Sequence, residues 1–193
     1  MILSNTRIIQ EIEAGAIFIG KDKATPIPTS ELEFDTTALN LCLANEFVSW
    51  KEFRSGAKIS VDPGRNGFKF QDYAHDFTTS AIKDRDGSYE VRTHEFLLCK
   101  TAEFVRLPKT IAARFEGRSS LGRLGLAVHI TAPTIHSAFE GTITLEVYNH
   151  SPIPVILRPG MKIGQLIFEE VSEEPSVSGS RTFSGQTSTI GKQ

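Results

Sequence analysis

The sequence predicts a mainly β domain, a sandwich or barrel with one short N-terminal helix and few others. Short runs of β-type residues recur along most of the chain and are separated by turn residues. The chain spreads 15 Gly and 9 Pro through 193 residues and contains no internal repeat. Hydrophobic residues make up 39% and charged residues 23%, and the length fits a single domain with ample core.

The helix comes first. Ser4 is placed to cap it, Ile8, Ile9 and Ile12 recur at helical spacing, and Gly15 ends it. Residues 21–30 are polar and carry Pro26 and Pro28, which forbid a regular helix. Strands are expected at 38–43, 47–50, 58–61, 95–99, 101–107, 127–131, 142–148, 155–157 and 162–169. Residues 62–86 are rich in Gly, Asp and basic residues, with Phe68, Phe70, Tyr73 and Phe77 among them. They read as a surface loop or irregular insertion within one domain spanning 1–171. The segment 172–193 is dominated by Ser, Thr, Gly and Glu without an apolar period. A disordered tail and a segment that orders over a ligand share that composition.

Composition excludes several functions. The net charge of −2 argues against a protein that grips polymeric nucleic acid, which requires a clustered basic excess. No apolar run approaches the ~18 residues of a membrane span. Met1 to Asn5 lacks the basic-then-apolar order of a secretory signal. Cys42 and Cys99 are the two cysteines, both in apolar surroundings. That count excludes a disulfide scaffold and a zinc site built from cysteines, and makes a reducing cytoplasm the expected location.

Chemistry concentrates in residues 116–126, Glu-Gly-Arg-Ser-Ser-Leu-Gly-Arg-Leu-Gly-Leu. Arg118 and Arg123 offer forked donors, Ser119 and Ser120 short ones, and three glycines let backbone amides approach an anion. A helix of exposed arginines with small packing residues is the alternative, and the spacing is not that of a Walker motif. In Thr142–Tyr148, period-two alternation puts Ile143, Leu145 and Val147 on one face. Glu146 is the one ionisable acid among the hydroxyls of the other face. Bordering a pocket, it would serve as a general acid–base; bordering solvent, it is an ordinary glutamate. His75, His94, His129, His136 and His150 match neither His-Glu-x-x-His nor the zinc-deaminase pattern, and no Gly-x-Ser-x-Gly elbow is present.

The residues 117–126 resemble the signature of the dCTP deaminase family, the metal-free branch of the dUTPase-like superfamily. His129-Ile130-Thr131-Ala132, Phe139-Glu140-Gly141, Leu145-Glu146, Asn149 and the 159–166 block follow in the family's order. Residues 115–170 carry the resemblance most strongly. It implies a distorted jelly-roll-like, β-clip domain and a homotrimer with active sites at subunit interfaces. It also implies hydrolytic deamination of dCTP to dUTP and ammonia, without zinc and with Mg2+ bound through the substrate triphosphate. By resemblance Glu146 is the catalytic carboxylate, and Ser119 and Arg123 orient water and stabilise charge at the cytosine. Arg118, Ser120 and Gln165 match phosphate contacts. Thr131 and Ala132 lie where the family reads the base, Phe139 lies near the deoxyribose, and residues 172–193 correspond to a lid carrying Arg181 and Gln186. The chemistry agrees: replacing the C4 amino group by water needs a proton shuttle and a held water, which one carboxylate with hydrogen-bonding neighbours supplies.

Four stretches depart from the family. His136 stands where relatives carry the Asp that activates water in dUTP hydrolysis, which counts against a dUTP pyrophosphatase or a bifunctional enzyme forming dUMP. Pro133-Thr134 replaces what is often Gly plus a variable residue, and Thr182-Phe183 replaces Lys-Tyr in the tail. Asn40-Leu41-Cys42-Leu43-Ala44 stands for the usual Asp-Leu-Arg-Leu-Gly, read as a structural substitution. A non-catalytic nucleotide-binding trimer is the remaining alternative.

Overall fold

The computed structural model describes residues 1–52, 59–176, 185 and 187–190. Its N-terminal helix α1 spans Asn5–Glu13; the Ser4 side chain accepts from the Arg7 amide, and Ile8 is buried. Gly15, at φ 75°, ends it as expected. A 3-10 turn follows at Thr29–Glu31.

The strands are β1 (Phe18–Gly20), β2 (Leu39–Trp50), β3 (Thr78–Ser80), β4 (Tyr89–Val91), β5 (Phe96–Arg106) and β6 (Ile111–Gly117). They continue with β7 (Leu126–Val128), β8 (Thr134–Ile135), β9 (Glu140–Asn149), β10 (Val155–Leu157) and β11 (Lys162–Glu170). Nine of them form one curled antiparallel sheet in the order β7-β9-β5-β2-β11-β6-β8, with β1 added to β5 and β3 to β2. Strands β4 and β10 pair separately. The protein is mainly β, as the sequence predicts.

Alternation on β9 is strict: Gly141, Ile143, Leu145, Val147 and Asn149 are buried and the residues between them are half-buried. The inward residues join Leu41, Leu43, Leu97, Cys99, Phe115, Leu166 and Phe168 in one core. Buried Asn149 has its amide satisfied: Nδ2 donates to the carbonyls of Val91 and Ile153, each at 3.0 Å, and Oδ1 accepts from Ser151 N at 2.8 Å. That residue pins the end of β9 to the β4–β10 pair. Gly164 in β11 permits a close approach, since a Cβ there would lie 2.0 Å from Phe115 Cζ.

Several expectations are corrected. The runs at 38–43 and 47–50 are one strand bent between Leu43 and Phe47, and those at 95–99 and 101–107 are one strand bent between Lys100 and Phe104. A β-bulge absorbs the extra residues without ending the strand. Residues 59–61 form no strand, and residue 58 lies outside the described residues. Strand β7 stops at Val128, not 131, because His129 turns to a φ of 62°. The 62–86 stretch holds a helix, α2 (Phe70–Phe77), followed by β3. There Tyr73 packs 5.5 Å from Trp50 and 4.5 Å from Phe77, ring centre to ring centre. Cys99 is buried, but Cys42 is only partly so.

Candidate active site

Two groups of residues emerge, each built by the local fold. The first surrounds Glu146. On β9 it stands beside Leu98 of β5 and points to the half-buried face. The chain leaving β7 then curls back over it. His129 N donates to Glu146 O at 2.7 Å, and Thr131 N donates to Glu146 Oε2 at 3.2 Å. His129 and Ala132 both adopt left-handed backbone angles, 62° and 55°. Such angles in residues other than glycine cost of order 1 kcal/mol each and persist only where neighbours enforce them.

Here the enforcing contacts are visible. The His129 ring packs edge-on against Phe115 at 5.5 Å, and its Nε2 lies 3.0 Å from Ala132 O. For that contact to be a hydrogen bond Nε2 carries the proton, since the carbonyl can only accept. Nδ1 is buried without a partner among the described residues. A carbonyl has two lone pairs, so Ala132 O retains one for another donor. Thr131 and Ala132 are exposed and Phe139 half-buried, packed against the core rim. The Glu146 carboxylate, held by the Thr131 amide, and the Ala132 carbonyl therefore present two acceptors from one strand and the loop that curls over it.

The second group lies where β6 ends. A short helix, α3 (Ser119–Gly122), follows Gly117, capped by Arg118 and Arg123. Residues 117–126 are thus both a glycine-bracketed turn and a helix. Gly125 closes the turn at φ 86°, where a Cβ would meet Ser151 N at 2.9 Å. Arg118 is half-buried and its Nη1 donates to Asn40 Oδ1. Gln165, on β11, donates through Nε2 to the same Asn40 oxygen at 3.2 Å and to Asp35. Ser119, Ser120 and Arg123 are exposed.

The structure therefore brings Glu146 together with Thr131 and Ala132, and Arg118 together with Gln165. Among the described residues no hydrogen bond joins Glu146 to Ser119 or Arg123 within one chain. Arg181 and Gln186 lie outside the described residues. His136 is exposed and starts the turn that leads to Phe139, whose amide donates to His136 O at 3.2 Å. Asn40 is the site residue that sequence reasoning placed elsewhere. Read as structural, it is the acceptor that joins Arg118 to Gln165, and its position on the strand facing 162–166 was the available signal. A cleft lined by Met1, Arg7, Glu11 and Thr110 holds none of these side chains. No group of three His, Cys, Asp or Glu able to hold a metal occurs among the described residues.

Residues 2–171 match the family described as dCTP deaminase-like. The protein named dCTP deaminase, dUMP-forming, from Methanothermobacter thermautotrophicus is 36% identical over 171 residues, which are 89% of this chain and 80% of that protein. The dCTP deaminase of Haloarcula marismortui is 33% identical over 171 residues, 89% of this chain and 81% of its own. The crystal structure of 2'-deoxycytidine 5'-triphosphate deaminase from Agrobacterium tumefaciens superposes with a TM-score of 0.62 at 18% identity, over 88% of this chain. This chain spans 48% of that one, and the likeness is one of fold.

Proposed function

Because the chain belongs to the dCTP deaminase-like family, we propose that it deaminates dCTP hydrolytically to dUTP and ammonia, with Glu146 as the general acid–base. The observation that supports this best is the Glu146 carboxylate held by the Thr131 amide beside the free lone pair of Ala132 O. Glu146 takes a proton from water as the oxygen attacks C4 of the cytosine and passes it to N3, then takes the second proton from the C4 hydroxyl and delivers it to the departing amine. Water enters, ammonia leaves, and the triphosphate is untouched.

Ser119 and Arg123 act on the reacting carbon from a second copy of the chain, a reading supported by the lack of any hydrogen bond between them and Glu146 among the described residues of one chain. A homotrimer with sites at its interfaces, as the family resemblance implies, brings both halves of each site together. Ser120 joins Arg118 and Gln165 in receiving the phosphates, and Phe139 packs on the deoxyribose. Guanidinium, hydroxyl and amide donors fit phosphate oxygens. They also fit a Mg2+ carried on the triphosphate, which neutralises part of its charge, better than one held by protein carboxylates. No zinc is assigned to the reaction, because the carboxylate and its neighbours suffice for the proton transfers.

A second reading, in which dUTP is further cleaved to dUMP and pyrophosphate, is favoured by the names of several relatives. His136 in place of a carboxylate counts against it. Incubation with dCTP and Mg2+, followed by chromatographic separation of the nucleotides, decides between them. Accumulating dUTP supports the deaminase; dUMP with pyrophosphate replaces it by the bifunctional enzyme.

A further inference from the structure

The half-buried face that carries Glu146 also carries a partly buried ion pair with no role in the proposed chemistry. Glu46 lies where β2 bulges, between Leu43 and Phe47, and Lys100 borders the bulge in β5. Bulges re-aim side chains, and here both turn toward one point. Lys100 Nζ meets Glu46 Oε2 at 2.7 Å, with side chains 16% and 35% exposed.

Both charges are also used on the C-terminal segment. Thr189 N donates to Glu46 Oε1 at 2.6 Å, and Lys100 Nζ donates to the carbonyl of Thr187. The Thr144 hydroxyl donates to Thr189 O at 3.4 Å, and Gly185 N donates to Glu140 O. Thr189 is 1% exposed, the deepest point of the described tail. Residues 185 and 189 contact residues 140 and 144, so this segment follows β9 in its own direction. Thr189 stops one pleat short of Glu146, roughly 7 Å along the strand. Burial would raise the Glu46 carboxyl, but the bonds from Lys100 and Thr189 outweigh it and hold it below the ordinary range.

We propose that Glu46 and Lys100 form a latch that fixes residues 187–190 beside Glu146, making them positioning residues for dCTP binding by the tail. The latch rests on the reading of residues 172–193 as a substrate lid. Glu46 Oε1 takes the Thr189 amide and Oε2 takes Lys100, so the ion pair brackets the tail's backbone. Its recognition includes the Thr189 backbone amide and the Thr187 carbonyl, which set where this part of the tail lies.

The test uses full-length variants. Glu46→Ala and Lys100→Ala each remove one arm, and Thr189→Pro removes the donor amide itself. Loss of a charged hydrogen bond is expected to raise KM for dCTP about tenfold, with kcat changed less and the melting temperature kept near that of the wild type. Glu46→Gln, which retains an acceptor, recovers part of the loss. The loss in Glu46→Ala combined with Thr189→Pro is smaller than the sum of the two single losses, because both remove the Glu46–Thr189 contact. Amide exchange at residues 187–190 gives a readout independent of turnover: it accelerates in Glu46→Ala and Lys100→Ala.

Unchanged exchange in both variants overturns the latch. Unchanged KM in the latch variants, with KM raised by Gln186→Ala, overturns it as a positioning device and leaves the lid standing. Accelerated exchange with KM unmoved in every variant, Gln186→Ala included, shows that the contact exists and overturns the lid reading instead.

Discussion

Asn40 is a single acceptor shared by two donors. Its Oδ1 receives Arg118 and Gln165, and the same Gln165 Nε2 also donates to Asp35. A guanidinium and a carboxamide brought to one oxygen lose freedom before any ligand arrives, which lowers the cost of binding an anion. Replacing Asn40 by Leu leaves both donors without their shared partner. Steady-state kinetics are expected to show KM for dCTP raised about tenfold with a smaller change in kcat, in line with the loss of a hydrogen bond to a charged group. An unchanged KM would remove Arg118 and Gln165 from the phosphate site. Much at this scale was legible in the sequence. Period two on 142–148 isolated Glu146, and the glycine bracketing of 117–125 marked Arg118. Asn40 was not, because its role depends on β11 lying against β2, a pairing of residues 125 positions apart.

Among the elements, the junction of β2 and β5 is the costly one. Glu103 is 7% exposed, and both its carboxylate oxygens accept from the Cys42 amide at 3.0 Å. Burial raises its pKa above the ordinary 4.5, and the Cys42 bond only partly offsets that. Above 4.5, and up to the raised native value, the folded state keeps a proton that the unfolded chain has released. Stability contributed by this group therefore falls as pH rises through that window. Glu103→Gln removes the titration. Thermal melts are expected to show the variant gaining on the wild type as pH rises above the ordinary carboxylate range. A difference constant with pH would contradict this.

The same junction shows why strand boundaries were read less well than strand positions. A bulge keeps pairing while interrupting alternation, so one strand looks like two. Strand β6 went unread because Arg114 and Glu116 alternate with its core residues and pair on the outer face. Helix α2 went unread because Gly64, Gly67 and the surrounding charges outweighed Phe70, Tyr73 and Phe77, which stand at helical spacing.

On the scale of the whole molecule, no hydrogen bond among the described residues joins Glu146 to Ser119 or Arg123, so the proposed chemistry divides the site between copies of the chain. A site split in this way functions only if copies associate, and closed rotational symmetry gives each copy both halves. Light scattering is expected to return three times the chain mass. Mixing Glu146→Gln with Arg123→Ala, each inactive alone, is expected to restore activity in refolded mixtures, because some interfaces then pair an intact Glu146 with an intact Arg123. No restoration would place both residues in one chain's site.

The direct test of the proposed chemistry is ammonia release from dCTP. The wild type is expected to release one ammonia per dCTP consumed, with a zinc chelator present and magnesium in excess, and Glu146→Gln to slow it by about 100-fold or more. Consumption of dCTP without ammonia, or full activity in Glu146→Gln, would contradict it.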